Sequence, residues 1–347
     1  MTDDSPPAPD ATGATPIVTA ASPEHHLAQQ RVRANQRIQA LRLELQRAVI
    51  GQDPLIDDVL CALLAGGHVL IEGLPGLGKT LLGRALARCL GVGFARIQFS
   101  AQLQPSDITG DAVYDEQTAR FTPRKGPVFQ HLLLADHINR APARTQAALL
   151  EAMQDRQVSI AGVTLPLDLP FMVLATQNPA EQEGTYPLPE AALDCFMFKL
   201  RVDYPAADLE TAMVRQVTRS VRADMLDVEL LRQVLQAKDV LILQRIASEL
   251  SVDDSVLDYA VRLARATRAW PGLAAGAGPR ASIDLVRGAR ARALMRGSEQ
   301  VQGEDVRACA LAVLRHRVAV RVDLQIDGVD AEQVLSELIE QVTGPRP

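Results

Sequence analysis

Short apolar runs, separated by glycine and proline and alternating with stretches of helical period, fill the first two-thirds of the chain. Val69-Leu70-Ile71, Leu132-Leu133-Leu134 and the segment 171–176 are too short for helices and read as buried strands. Phe94 to Phe99 and Phe196 to Val202 add two more. Leu81 to Leu90, closed by Gly91, reads as a helix, and so do 26–49 (Leu27, Val32, Ile38, Leu41, Leu45), about 53–64 and 145–154. Two alternating stretches read as hairpins. One pairs Ala112-Val113-Tyr114 with Arg120-Phe121-Thr122, and the other runs from Gln157 to Leu167 with its turn at Ala161-Gly162.

After Tyr204-Pro205 the texture becomes helical throughout. Ser251 and Asp254 form a capping pattern before a run with Leu257, Val261 and Ala264. Ser282 stands as the cap of a helix that runs to Arg296 and closes at Gly297, and a last amphipathic helix carries Val334, Leu335, Leu338 and Ile339. Strands alternating with helices predict an α/β fold over residues 25–204, a parallel sheet sandwiched by helices, followed by a smaller all-α domain over 205–347. Residues 1 to about 24 hold five prolines among small and acidic residues and cannot bury enough apolar surface to offset their ordering entropy, so a disordered tail is expected.

One stretch carries chemistry by itself. Gly73-Leu74-Pro75-Gly76-Leu77-Gly78-Lys79-Thr80 fits the phosphate-binding pattern G-x-x-x-x-G-K-[ST], lies between a predicted strand and a predicted helix, and continues into Leu81. Glycines at 73, 76 and 78 let the backbone turn its N–H groups toward a triphosphate, and the positive end of the following helix adds to the attraction. Lys79 would bridge the β- and γ-phosphates, and the Thr80 hydroxyl would hold Mg²⁺. The cofactors implied are ATP and Mg²⁺.

Bulk composition narrows the partners. The net charge of −6 leaves no chain-wide basic footprint for nucleic acid. Arg287, Arg290, Arg292 and Arg296 read as a solvated helix face, with binding of a phosphate backbone as the alternative. Cys61, Cys89, Cys195 and Cys309 are scattered, which fits reduced thiols better than a disulfide framework or a zinc site. No apolar run reaches the roughly 18–20 residues that span a bilayer, and the N-terminus lacks the character of a signal peptide, so a cytoplasmic location is expected.

The segments Ile71–Thr80, Gln104–Gly110, Ala135–Pro142, Ala175–Pro179, Tyr186–Ala191 and Gly278–Ala281 together resemble the MoxR family of AAA+ ATPases, in family order over about 49–316. The resemblance implies that Val49-Ile50-Gly51 packs on adenine and that the two hairpins face the pore of a ring, by family habit a hexamer. It implies a chaperone-like role in maturing protein clients, often beside a partner with a von Willebrand factor A domain. It gives Asp136 to Mg²⁺, Asn178 to the attacking water, and Arg280 to the γ-phosphate from the helical domain.

Two positions depart from the family pattern. His137 stands where the family has a glutamate that polarises the hydrolytic water, and Cys195 stands where it has an arginine that reaches a neighbouring subunit's site. A general base contributes typically ~10²–10⁴-fold and an arginine finger on the order of 10³–10⁵. Reduced hydrolysis is the expectation. His137 could act as a weak base, and Arg140 or Arg144 could supply charge across the interface. A non-hydrolysing, nucleotide-gated scaffold or a subunit of a mixed ring is the alternative. A DNA-remodelling motor is disfavoured by the charge.

Overall fold

A computed structural model of the chain describes residues 23–117, 120–179, 184–218 and 228–345. The nucleotide-binding half contains α1 (Pro23–Gln46), α2 (Asp53–Leu64), β1 (Val69–Gly73), α3 (Lys79–Leu90), β2 (Phe94–Gln98), α4 (Pro105–Thr109), β3 (Gly110–Asp115), β4 (Arg120–Lys125), β5 (Leu132–Asp136), α5 (Ala143–Asp155), β6 (Gln157–Ile160), β7 (Val163–Pro166), β8 (Met172–Gln177), α6 (Glu190–Leu193) and β9 (Phe198–Val202). Helices follow: α7 (Ala207–Thr218), α8 (Ala237–Ser248), α9 (Asp254–Ala266), α10 (Pro279–Arg296), α11 (Gly303–Leu314), α12 (Val322–Ile326) and α13 (Ala331–Gln341). A small antiparallel pair of strands, Leu273–Ala275 with Ala319–Val320, joins the loops among them.

Five parallel strands form one sheet in the order β2-β5-β8-β1-β9. The apolar runs are continuous because both faces are covered, and the two-residue period still divides them. Val69, Ile71, Leu132, Leu134, Met172 and Leu174 point to one core, while Leu70, Leu133, Ala135, Val173 and Ala175 point to the other. The first core runs without a break from α1–α3 across the sheet face into α8–α11 and α13. The second lies under α4, α5 and the β6–β7 hairpin.

The predicted hairpins are both present. β3 pairs with β4, and β6 with β7 through a two-residue turn at Ala161-Gly162 with both residues at positive φ. Three local readings need correcting. Helix α1 begins at Pro23, so the last two residues of the expected disordered tail are helical; the rest of that tail, 1–22, lies outside the described residues. Asp253, not Ser251, occupies the N-cap of α9, and Ser251 instead forms a parallel bridge with Gln300. Gly278 caps α10 and Pro279 opens it, which leaves Ser282 inside the first turn; Pro at this point costs nothing because its missing N–H would have no helical partner.

The arginines of α10 are not a solvated face. Arg292 pairs with Asp58 of α2, Arg296 Nη2 donates to Asp305 Oδ2 at 2.8 Å, and Arg287 donates to the carbonyls of Ala65 and Gly66 at the end of α2 (2.5 and 3.2 Å). The Arg292 and Arg287 contacts, with Asn35 and Gln39 of α1 donating to the carbonyls of Leu294 and Met295, stitch the helical half to the sheet half, while Arg296 ties α10 to α11 within the helical half.

At the start of β1, His68 is buried between the two layers. The Val173 N–H donates to its Nδ1 at 3.0 Å, so the ring carries its proton on Nε2, which faces the Met153 carbonyl at 3.3 Å. Burial pushes this imidazole down to about 4, with the nearby arginines 156, 287 and 280 adding to the effect. The unfolded chain therefore takes up a proton below the ordinary value of 6.5 while the folded chain does not, and stability falls as pH drops from about 6.5 toward 4. The expected loss between pH 7 and pH 5 from this one group is about 2 kcal/mol. Urea denaturation at the two pH values measures it. In His68→Asn, whose carbonyl oxygen replaces Nδ1 as acceptor, the pH slope should fall by about one proton; an unchanged slope would refute the assignment.

Candidate functional site

The C-terminal ends of β1, β5 and β8 lie side by side, and loops that leave them surround a cavity of about 630 Å³. Open parallel sheets bind ligands at this edge. The loop after β1 is the predicted phosphate loop. Gly76 and Gly78 sit at φ +84° and +80°, where a side chain would be strained. Gly73 serves a different end from the one the motif suggests. Its φ is ordinary, but a Cβ there would stand 2.8 Å from the Val202 carbonyl, so glycine is needed for close approach to β9. Gly78 caps α3 in the left-handed region, and Lys79, Thr80 and Leu81 open the helix with their N–H groups unpaired by helical bonds. Lys79 Nζ donates to the carbonyls of Gly73 and Leu74 (2.8 and 2.6 Å) across the loop.

Asp136 ends β5 and is buried. Thr176, on the neighbouring β8, donates to Oδ1 at 2.6 Å, and Arg96, on β2, donates to Oδ2 through both Nη2 (2.6 Å) and Nε (3.1 Å). Burial would raise this carboxyl, but the Thr176 and Arg96 hydrogen bonds outweigh it and hold the group below the ordinary carboxylate range. It is therefore an anion with hard oxygen donors, facing the same cavity as the Thr80 hydroxyl. That pair suits Mg²⁺.

His137 follows in the left-handed region, at φ 57°, with its N–H donating to Thr176 Oγ1 at 3.0 Å. Its Nδ1 is buried without a hydrogen-bond partner, 3.7 Å from Asp136 Oδ1. The ring and Asn178 both border the cavity.

The far wall is apolar. Val49, Ile50, Leu77 and Leu81 face Pro205, Met213 and Val217 of the β9–α7 region. Gly51, at φ +76°, lets this loop approach α7: a Cβ there would stand 3.1 Å from Pro205 and 3.2 Å from Leu209.

Two residues that the sequence reading ties to nucleotide, Cys195 by way of a neighbouring subunit's site, do not line this chain's own cavity. Cys195 precedes β9, at the opposite edge of the sheet, and is buried. Its Sγ accepts from Gln154 Nε2 at 2.7 Å and donates to the Ala191 carbonyl at 3.3 Å, and burial raises the thiol above its ordinary range. Its side chain is not on the surface of the chain. Arg280 is exposed at the start of α10 and does not line the cavity of its own chain; its charge acts instead on Cys195 and His68. A five-residue strand spans about 15 Å, and that length of the parallel β1–β9 pair separates Cys195 from the phosphate loop. Arg144, one of the two candidate substitutes, donates to Gln104 Oε1 at 2.9 Å.

Sequence reasoning missed Arg96, Thr176 and the α7 wall. Arg96 left a signal, since it is the one charge inside a short strand. Thr176 and α7 left none, because their part depends on which strands become neighbours. Among the described residues no group of three or more His, Cys, Asp or Glu side chains could hold a metal ion, and no helix is long and apolar enough to cross a membrane.

The chain matches two family models: the ATPase family associated with various cellular activities (AAA), over residues 68–198, and the AAA lid domain, over 265–338. It is 42% identical over 315 residues to Chaperone MoxR1 of Mycobacterium tuberculosis, covering 87% of this chain and 81% of that one. It is 41% identical over 301 residues to the uncharacterized protein YeaC of Bacillus subtilis, covering 87% and 92%. A crystal structure of a protein described as a candidate ATPase, from Cytophaga hutchinsonii, superposes with a TM-score of 0.85 at 36% identity and covers 93% of this chain and 99% of that chain.

Proposed function

Because this chain belongs to the MoxR family of AAA+ ATPases, we propose that it binds ATP with Mg²⁺ at the junction between subunits of a ring and remodels or matures protein clients. The observation that carries the reading is the division of the site. The phosphate loop, Asp136 and Asn178 stand at one edge of the sheet, while Arg280 and the Cys195 corner stand at the other. One chain cannot close both on a single nucleotide. A neighbour that presents its Arg280 edge to the cavity of the next chain can.

In this reading the β- and γ-phosphates lie on the N–H groups of 76–81 and on Lys79. Adenine lies against Val49, Ile50 and the α7 wall. Thr80 and Asp136 hold Mg²⁺, which supplies charge neutralisation between the phosphates. Residues 25–204 act as the nucleotide-binding unit and 205–347 as the lid, in a cytoplasmic protein. The β3–β4 hairpin leaves Val113, Tyr114 and Phe121 exposed, with the two aromatic rings packed edge to face at 5.3 Å, and supports a role in gripping unfolded or partly folded clients. The name of the M. tuberculosis relative supports the chaperone reading. A protein with a von Willebrand factor A domain is the partner that family resemblance suggests.

A second reading, a nucleotide-gated scaffold with little turnover, is favoured by His137 at the water-facing position and by a buried thiol at the finger position. In both readings ATP·Mg²⁺ drives assembly. Light scattering is expected to show a shift from small species to a ring, a hexamer by family habit, when ATP·Mg²⁺ is added at high protein concentration. A mass that stays at that of one chain, 37.5 kDa, would count against the shared site.

A further inference from the structure

The ends of α2 and α5 and the facing sides of α8 and α10 enclose a second cavity, of about 340 Å³. It lies on the seam between the sheet half and the helical half, away from the phosphate loop. Arg156, Arg245, Arg287 and Arg290 line it, and no carboxylate does among the described residues.

The four guanidinium groups are unevenly answered. Arg245 pairs with Glu249 at 2.9 Å, but both are exposed. Arg287 reaches Asp284 only at 3.3 Å, and spends its other nitrogen on the carbonyls of Ala65 and Gly66. Arg290 is the telling one: its Nε is buried and has no hydrogen-bond partner. Like charges gathered around one cavity repel. A small oxyanion held by the accessible guanidinium nitrogens offsets that repulsion. Guanidinium forks match the oxygens of a phosphate in pairs, and 340 Å³ is at the low end of the roughly 300–1,000 Å³ of small-molecule sites. The walls otherwise offer Leu64, the amide of Gln244 and small residues, too little apolar surface to hold a base.

We propose that this cavity is a binding site for a small, multiply charged phosphate-bearing anion, separate from the nucleotide cavity. The occupant touches α2 and α5 on one side and α8 and α10 on the other, and so braces the seam on which the helical half sits.

The test uses the full-length Lys79→Ala chain, in which the phosphate loop has lost its lysine, and sodium pyrophosphate without divalent metal at low ionic strength. Calorimetry is expected to show one pyrophosphate per chain. Arg290→Leu and, separately, Arg156→Ala in the same background should each weaken binding by about tenfold or more, and Arg290→Lys should weaken it less than the leucine. Arg156 is exposed, so its removal leaves the packing intact and keeps the test valid if the Arg290 variant fails to fold. No heat beyond dilution, or an affinity unmoved by Arg156→Ala and by whichever Arg290 variant folds, would overturn the proposal.

Discussion

Lys79→Ala should abolish ATP binding within the range that calorimetry can measure. The lysine supplies the one charge that the phosphate loop itself directs at the phosphates. Hydrogen bonds to charged groups contribute about 1.5–3 kcal/mol each, so loss of contacts to two phosphates amounts to roughly 10²-fold or more in affinity. The same Nζ now holds the carbonyls of Gly73 and Leu74, so the substitution also frees the loop it spans. The two hydrogen bonds are local to the loop, so thermal unfolding should move little. An ATP affinity equal to that of the unchanged chain would sink the assignment of this loop.

His137→Glu should raise steady-state phosphate release by roughly 10²-fold with little change in KM, because a group that polarises the attacking water acts on the transition state. The carboxylate would stand beside Asp136, where Arg96 already offsets one negative charge. Two costs come with it. Residue 137 sits at φ 57°, and glutamate is less at ease there than histidine, so stability should fall by about 1 kcal/mol. The partner substitution Cys195→Arg is harder than sequence alone implied. The thiol is buried against Gln154 and Ala191, and an arginine must leave that pocket to reach a neighbour. The double variant should therefore exceed His137→Glu only when assembly is matched. Phosphate release by the unchanged chain at the rate of an active relative, with no gain in either variant, would refute the scaffold reading and leave His137 as the working base.

Most of the sheet and the phosphate loop were legible because their signals are local. Three bare apolar runs, a glycine-rich turn and a lysine–threonine pair need no knowledge of what lies beside them. Asp136 and Asn178 were legible only as members of a familiar order of motifs. What failed was whatever depends on a neighbour. The arginines of α10 have the spacing of a solvent face, and nothing in that spacing reveals Asp58 or the end of α2 opposite. Arg280 and Cys195 carry no mark of the sheet edge to which the crossovers bring them. Ser282 looks like a cap until Pro279 and Gly278, three and four residues earlier, are given their due.

The unbroken apolar core that joins α1–α3, one face of the sheet and the helical half has a mechanical meaning. A lid joined to its base by a few polar contacts can swing on its own; one that shares an interior with its base moves only with it. On the proposed function, each chain is then expected to behave as a single lever arm, with a change at the phosphate edge delivered as a rotation of the whole body. In a closed ring that rotation cannot be absorbed inside the subunit that starts it. In the ring we propose, it is expected to appear as a change of angle at the next junction, so that the stroke would belong to the ring and not to any one of its members.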